Sequence, residues 1–528
     1  MANRYWVGGT GTWITTSKWS TSSGGSGGAS VPTVNDNVIF DANSATGNAY
    51  VVTVAANQQC ADFSYTPVAI NGATQFIFAG NFVIAGTFST SGTQGNRRIW
   101  FRTSVQSLSQ DISIATIGTV ADADFRDVRI TGAGGTLTGT RIGDLGGNRG
   151  ITFTAPKSCY RLGSGFWTDD SWSATSGGTS DIDFFPLAQD TAIFDENTST
   201  GNHTTSSIIA YAGTVDMSAR TSVGVTLNFG AAFYVYGNWT LGSGISLLGA
   251  AGLNFEGRGT QVITSAGRTY TTSIFINCFG GTVELADALS LSTNSITVNN
   301  GNFDTKGYSV IALAVISTNS NVRGIKFGAS TLTFPSSSTF LNFSNSTNLI
   351  FDAGTSSVVA GAPVATLIGG SGHTFYDVSF TSTIVGTSGI SGANTFNNLS
   401  IAPPLSGGAV LFNITNPQII TGTLTADSPT ANARVFLHNT LNGVPAVLTV
   451  GTLVAGNCDF SDIALEGAAS GATPTNAGDA SGNTGINFPA PKTAYWNLSG
   501  SQIWTANAWA ATSGGTPDIA NFPLPQDT

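Results

Sequence analysis

The chain has 528 residues, of which 41% are hydrophobic and 9% charged, with 66 Gly, 32 Phe and a formal charge of −10. Its 19 Lys and Arg are scattered, Arg97-Arg98 being the densest group, which argues against nucleic acid, since a binder needs clustered cations to neutralise phosphates. So many Phe beside so little charge exclude a disordered chain, and no apolar run approaches the roughly 20 residues of a membrane-spanning helix, so no membrane insertion is expected.

The first element is an opening motif, Tyr5 to Asp41, reading YWVGGTGTWITTSKWSTSSGGSGGASVPTVNDNVIFD. It combines aromatic residues (Trp6, Trp13, Trp19), a Gly-Gly turn, Pro-x-x-Asn-Asp ending at Asp36, and the strand Val38-Ile-Phe-Asp41. Short runs follow with apolar residues at every second position, such as Phe76-Ile-Phe78, Phe82-Val-Ile84 and Ile112-Ser-Ile114. That period places one face inward and one outward, the behaviour of a strand. The body closes with ADFRDVRITG (123–132) and GDLGGNRGITFTAPK (143–157).

The opening motif returns at Tyr160 with Trp167, Trp172, a Gly-Gly turn, Asp190 and Ala192-Ile-Phe-Asp195. Its closing partner is CDFSDIALEG (458–467) with GDASGNTGINFPAPK (478–492). A third opening motif from Tyr495 carries Trp496, Trp504, Trp509 and Asp527. Repeats take precedence in reading a chain, because a missed repeat misassigns the fold. The division is therefore a first module at 1–156 (opening motif 5–41, closing motif 123–157), a second and longer one at 157–491 (opening motif 160–195, closing motif 458–492), and the start of a third at 492–528. The third copy stops where the second continues into its strand, so the biological polypeptide is expected to be longer.

Between Ile274 and Val315 short alternating runs recur every six to nine residues with Gly, Asn or Asp between most of them. Three short strands per coil at roughly 20 residues per turn is the spacing of a parallel β-solenoid. The expected fold is all-β: tandem right-handed parallel β-helix modules with Trp-containing capping segments. A string of β-sandwich domains is the competing arrangement.

The end of a β-helix exposes unpaired backbone and bare core, so it needs a cap. Eight of the ten Trp (Trp6, Trp13, Trp19, Trp167, Trp172, Trp496, Trp504 and Trp509) fall in the opening motifs, as plugs or inter-module joints. The functional alternative is that their faces stack on sugars. Asp36, Asp190 and Asp527 are the repeated turn aspartates.

Searches for chemistry yield little. His203, His373 and His438 have no metal spacing, and Cys60, Cys159, Cys278 and Cys458 match no ligand or redox motif, so they read as reduced packing residues. Asp124/Asp127 and Asp459/Asp462 form repeated D-F-x-D pairs that suggest glycoside hydrolysis on paper, but their place at module ends favours a turn or ladder role. The turns Asp41-Ala-Asn43 and Asp195-Glu-Asn197 lack a regular ligand repeat, so turn chemistry is preferred to calcium. No catalytic residue, metal ligand or cofactor is assigned.

The opening motif, Trp-x(5–6)-Trp, a Gly-rich turn, then Pro-x-x-x-Asp-x-Val-Ile, is similar to segments that open β-helical repeats in bacterial surface adhesins and bacteriophage tail or fibre proteins. The fuller wording, GDxxGNxGIxFxAPKxxYW with WAATSGGTPxxxNFPLxQDT, most resembles structural proteins of environmental phages. The resemblance covers the module ends, about a quarter of the chain. It implies an elongated virion appendage, made in the host cytoplasm and involved in host attachment. The implied partners are other virion proteins, further copies of the chain (a trimer favoured) and a host surface glycan or protein. A tailspike-type polysaccharide depolymerase is one alternative, though the four Glu (Glu196, Glu256, Glu284, Glu466) form no obvious pair. A bacterial adhesin is another, and the apolar core of a secretory signal is missing from the N-terminal residues shown.

Overall fold

The structure is a computed structural model describing residues 1–46, 49–66, 74–91, 97–205, 210–500 and 502–528. It is an all-β chain, 2% helical, folded as a stacked parallel β-solenoid of about 17 turns. Two compact units divide it, Met1–Glu284 and Leu285–Thr528, the break falling inside the stretch read as the second module.

In Met1–Glu284 the alternation seen in sequence becomes coil geometry. Asp36–Phe40, Thr74–Phe78 and Val225–Phe229 each bury every second residue. Ladders run parallel: Phe101 lies between Phe76 and Phe125, residues 25 and 24 positions away. The three rings stack face to face at 5.2 and 5.3 Å, close to the spacing between neighbouring strands, so one aromatic per coil continues the core without a gap. Parallel pairing excludes the antiparallel sandwich, and short antiparallel clasps occur within the opening motifs, as at Trp6 with Trp19 and Arg161 with Trp172.

The first stack of coils occupies residues up to Phe153 and the second begins at Ser158–Arg161. The second does not extend the sheets of the first. Those end at Val128–Thr131 and Gly143–Asp144, and the two stacks meet through side chains. Corners between strands use residues that tolerate left-handed backbone: Asp122 and Asp127 have φ of 53° and 58°.

Leu285–Thr528 repeats this construction. Val310, Leu332, Val358 and Val378 pair in succession, giving coils of 20 to 26 residues. Phe375 and Phe396 stack at 5.5 Å. Its closing coil has the same left-handed corners, Asn457 at 49° and Asp462 at 53°. The antiparallel clasp of the third opening motif, Trp496 with Trp509, also lies in this unit.

Candidate functional site: the Trp clasps and the joint between coil stacks

The three opening motifs fold alike. The Nε1 hydrogen of Trp19 is donated to the carbonyl of Trp13 at 2.6 Å, and Trp172 to Trp167 and Trp509 to Trp504 repeat the bond at 3.1 Å. The paired indoles meet nearly edge-on at 4.9, 4.8 and 4.6 Å. Trp6 and Trp496 complete their clusters at 5.0 and 5.1 Å, whereas Arg161 takes that position in the second copy and lies over Trp172 at 5.2 Å. The first two clusters occupy the terminal coil of their stacks and are covered by Phe40 and Phe82, and by Phe194 and Phe233. Trp6, Trp13, Trp19, Trp167 and Trp172 are buried and offer no face to a sugar, whereas Trp496 and Trp504 are 36% and 63% exposed.

The Gly-Gly turn explains itself. Its first glycine has φ of 65°, 64° and 74° at Gly24, Gly177 and Gly514, a region costly for other residues. A Cβ on the second, Gly25, Gly178 or Gly515, would collide with the hydroxyl of Ser22, Thr175 or Thr512. The D-x-N turns clip onto it. Asp41 and Asp195 each accept from the backbone of Asn43 or Asn197, whose amides donate to Ser23 and Ser176 at 2.8 Å.

The repeated aspartates close the Pro-x-x-x-Asp turn. Oδ2 of Asp36, Asp190 and Asp527 accepts the N–H of Thr33, Leu187 and Leu524 at 2.9 Å. Asp190 and Asp527 also accept from the N–H of Lys157 and Lys492, pinning the closing motif's last lysine to the next opening motif. Burial raises the carboxyl pKa of Asp190 despite these donors. At Asp36 burial acts in the same sense, but Thr33 and Arg4 outweigh it and the pKa falls.

The glutamine before the aspartate joins modules in sequence. Gln189 donates to the carbonyls of Ile142 and Thr154 and accepts from the N–H of Asp144. Gln526 makes the matching set with Ala477, Pro489 and Asp479. The G-D-x-x-G-N wording is equally physical: Asn148 donates to Asp144 and the Phe125 carbonyl while accepting from Val128, and Asn483 repeats this with Asp479, Phe460 and Ile463.

The D-F-x-D pairs lie in these closing coils. Buried Arg98 grips both oxygens of Asp124 at 2.7 Å, and Arg434 grips Asp459 identically. Such bidentate pairing satisfies a buried carboxylate and holds it in an ion pair. Asp127 accepts from the Ser107 N–H and from Arg258 of the second stack. Among the described residues no three His, Cys, Asp or Glu are grouped as metal ligands. Burial pushes the thiols of Cys60, Cys159 and Cys458 upward, leaving them protonated packing groups.

What sequence reasoning missed is the lateral joint within Met1–Glu284. Tyr211 donates to Oδ2 of Asp124 at 2.5 Å, its ring against Trp100 at 5.6 Å. Leu145 and Ala188 complete that cluster. Alongside, Arg126 pairs with Glu256, which also receives the Tyr236 hydroxyl, and Arg258 pairs with Asp127. Burial raises the carboxyl pKa of Glu256 against the pull of Arg126 and Tyr236. The partners are 87 to 131 residues apart, and the only local signal is that Arg98-Ile-Trp100 and Arg434-Val-Phe436 precede the two D-F-x-D pairs.

Comparison with protein-family models, with curated proteins and with solved structures finds no match.

Proposed function

We propose that this chain is a structural protein of a bacteriophage virion, a fibre, spike or other appendage that grows by adding coils between fixed opening and closing motifs and takes part in attachment to the host. The observation that carries the reading is the use of the repeated polar residues. Asp124, Asp144, Asp190, Gln189 and Asn148, with their counterparts later in the chain, are engaged in hydrogen bonds or ion pairs that stitch coil to coil and motif to motif. This is the chemistry of a scaffold, and it agrees with the resemblance of the module ends to phage fibre proteins. A homotrimer is the assembly proposed, with other virion proteins and a host surface glycan or protein as partners.

The test is immunoelectron microscopy on purified particles, using antibody against the chain. Label on a particle appendage is expected. Label confined to the bacterial envelope, with none on particles, replaces this reading with that of an adhesin.

A further inference from the structure

The joint around Tyr211 has a counterpart in Leu285–Thr528 that keeps the arginine-held carboxylate and, among the described residues lining it, has no tyrosine. Register fixes the correspondence. Trp100 pairs with Asp124 and Phe436 with Asp459, while Leu145 and Ala480 donate equivalent backbone bonds to Phe125 and Phe460. In the opening motifs Phe185 and Ala188 correspond to Phe522 and Pro525. Around Tyr211 these positions are closed: Trp100 is 5% exposed and Leu145 1%. In the second unit Phe436 and Ala480 are half-buried and Pro525 is exposed. Beside Pro525 opens a cleft of about 560 Å³ whose lining includes Arg434, Asp459, Trp504, Phe522, Leu524 and Pro525.

The acceptor is already held in place. Arg434 fixes the Asp459 carboxylate at 2.7 Å to each oxygen and is itself anchored by the carbonyls of Ala431, Cys458 and Asn476. Among the described residues, Oδ2 of Asp459 receives one hydrogen bond, from Arg434, where Oδ2 of Asp124 receives two, from Arg98 and Tyr211. A carboxylate oxygen has room for that second donor. The charge is neutralised by Arg434, so neither an anion nor a cation is favoured. The ring walls call for an aromatic body, and the free lone pair calls for a hydroxyl on it.

We propose that this cleft is a tyrosine-binding seat, taking a phenol side chain presented by an extended strand of a further β-solenoid module in the manner of Tyr211. The phenol hydroxyl donates to Oδ2 of Asp459 and the ring lies against Trp504, Phe522 and Pro525, which line the cleft. The inference rests on the geometry of the joint and is independent of the virion reading.

The test titrates the whole protein with N-acetyl-tyrosinamide and p-cresol, following the emission of the cleft indoles Trp504 and Trp509. The comparators are N-acetyl-phenylalaninamide and 4-methylanisole, which keep the ring and lose the donor. Saturable binding of the phenols, with the comparators roughly tenfold weaker, is expected from one hydrogen bond to a buried charged acceptor. Asp459→Asn should weaken the phenols selectively. Phe522→Ala, which leaves the ion pair intact, should weaken phenols and comparators alike. Equal binding of p-cresol and 4-methylanisole to the unsubstituted protein overturns the proposal. So does displacement of p-cresol by an oligosaccharide, which makes the cleft a glycan site. Concentration-dependent self-association that blocks the probe also overturns it, by making a second copy the occupant.

Discussion

Arg161 donates its Nε hydrogen to Nδ1 of His203 across 3.3 Å, and Nε2 of the same imidazole faces the Ser199 carbonyl at 3.0 Å. The first bond makes Nδ1 an acceptor and the second makes Nε2 the protonated nitrogen, so this buried histidine is held neutral. The first stack needs no such pair, because Trp6 and Val52 fill the equivalent places with apolar surface.

Acidification should therefore weaken the second stack. Burial, with Arg161 and Arg220 nearby, lowers the His203 pKa from 6.5 to about 4, against the opposing Ser199 carbonyl. A folded-state pKa below the unfolded one means that stability is fully present above pH 6.5 and is lost as the pH falls toward 4, by about 3 kcal/mol in order of magnitude. Calorimetry across that interval should show a falling transition for the native chain. The His203→Gln chain should show a flatter profile, and a native profile flat between those values would refute the assignment.

Removing a buried indole should cost more than removing an exposed one. Trp19 and Trp172 are fully buried, so Trp19→Ala or Trp172→Ala should each cost about 3–5 kcal/mol, a large side chain's worth of packing. Trp504→Ala, at a residue 63% exposed, should change stability by no more than about 1 kcal/mol. Denaturant midpoints of the three variants measure the ranking.

The first glycine of the turn is fixed by its left-handed backbone, with the Asn43 side chain 3.2 Å from where a Cβ would stand. Gly24→Ala places a Cβ at φ 65° and should cost about 1–2 kcal/mol, while Gly24→Asn should cost less because asparagine visits that region more readily. Thermal melts reversing that order would remove the conformational explanation.

At the lateral joint, Tyr211→Phe deletes one donor to a buried carboxylate and should cost about 1–3 kcal/mol. Arg98→Met leaves Asp124 buried without its partner and should cost about 3–5 kcal/mol. Hydrogen exchange at Trp100 and Phe101 should quicken in both, more in the second.

The readable part of this chain was local. Alternation at Phe76-Ile-Phe78 or Val225–Phe229 marks strands because a pleated backbone sends neighbours to opposite faces. The eight indoles of the opening motifs were legible as a repeated cluster beside Gly-Gly and Pro turns, and the plug role remains the expectation drawn from that placement. Five are fully covered, while exposure of Trp496 and Trp504 depends on which coils lie over them, a matter no motif encodes.

Sequence by itself thus determined the all-β class, the coil period and the positions of the turn residues, since each follows from side-chain size, backbone freedom or hydrogen bonding within a few residues. Only the tertiary structure decided that Tyr211 meets Asp124, that Arg258 meets Asp127, and that Asp459 has a matching carboxylate geometry with no tyrosine among the described residues donating to it. Those pairings join residues on different coils, and their partners are chosen by how two stacks pack side by side, a long-range outcome of burying charge and ring together that leaves no period in the chain.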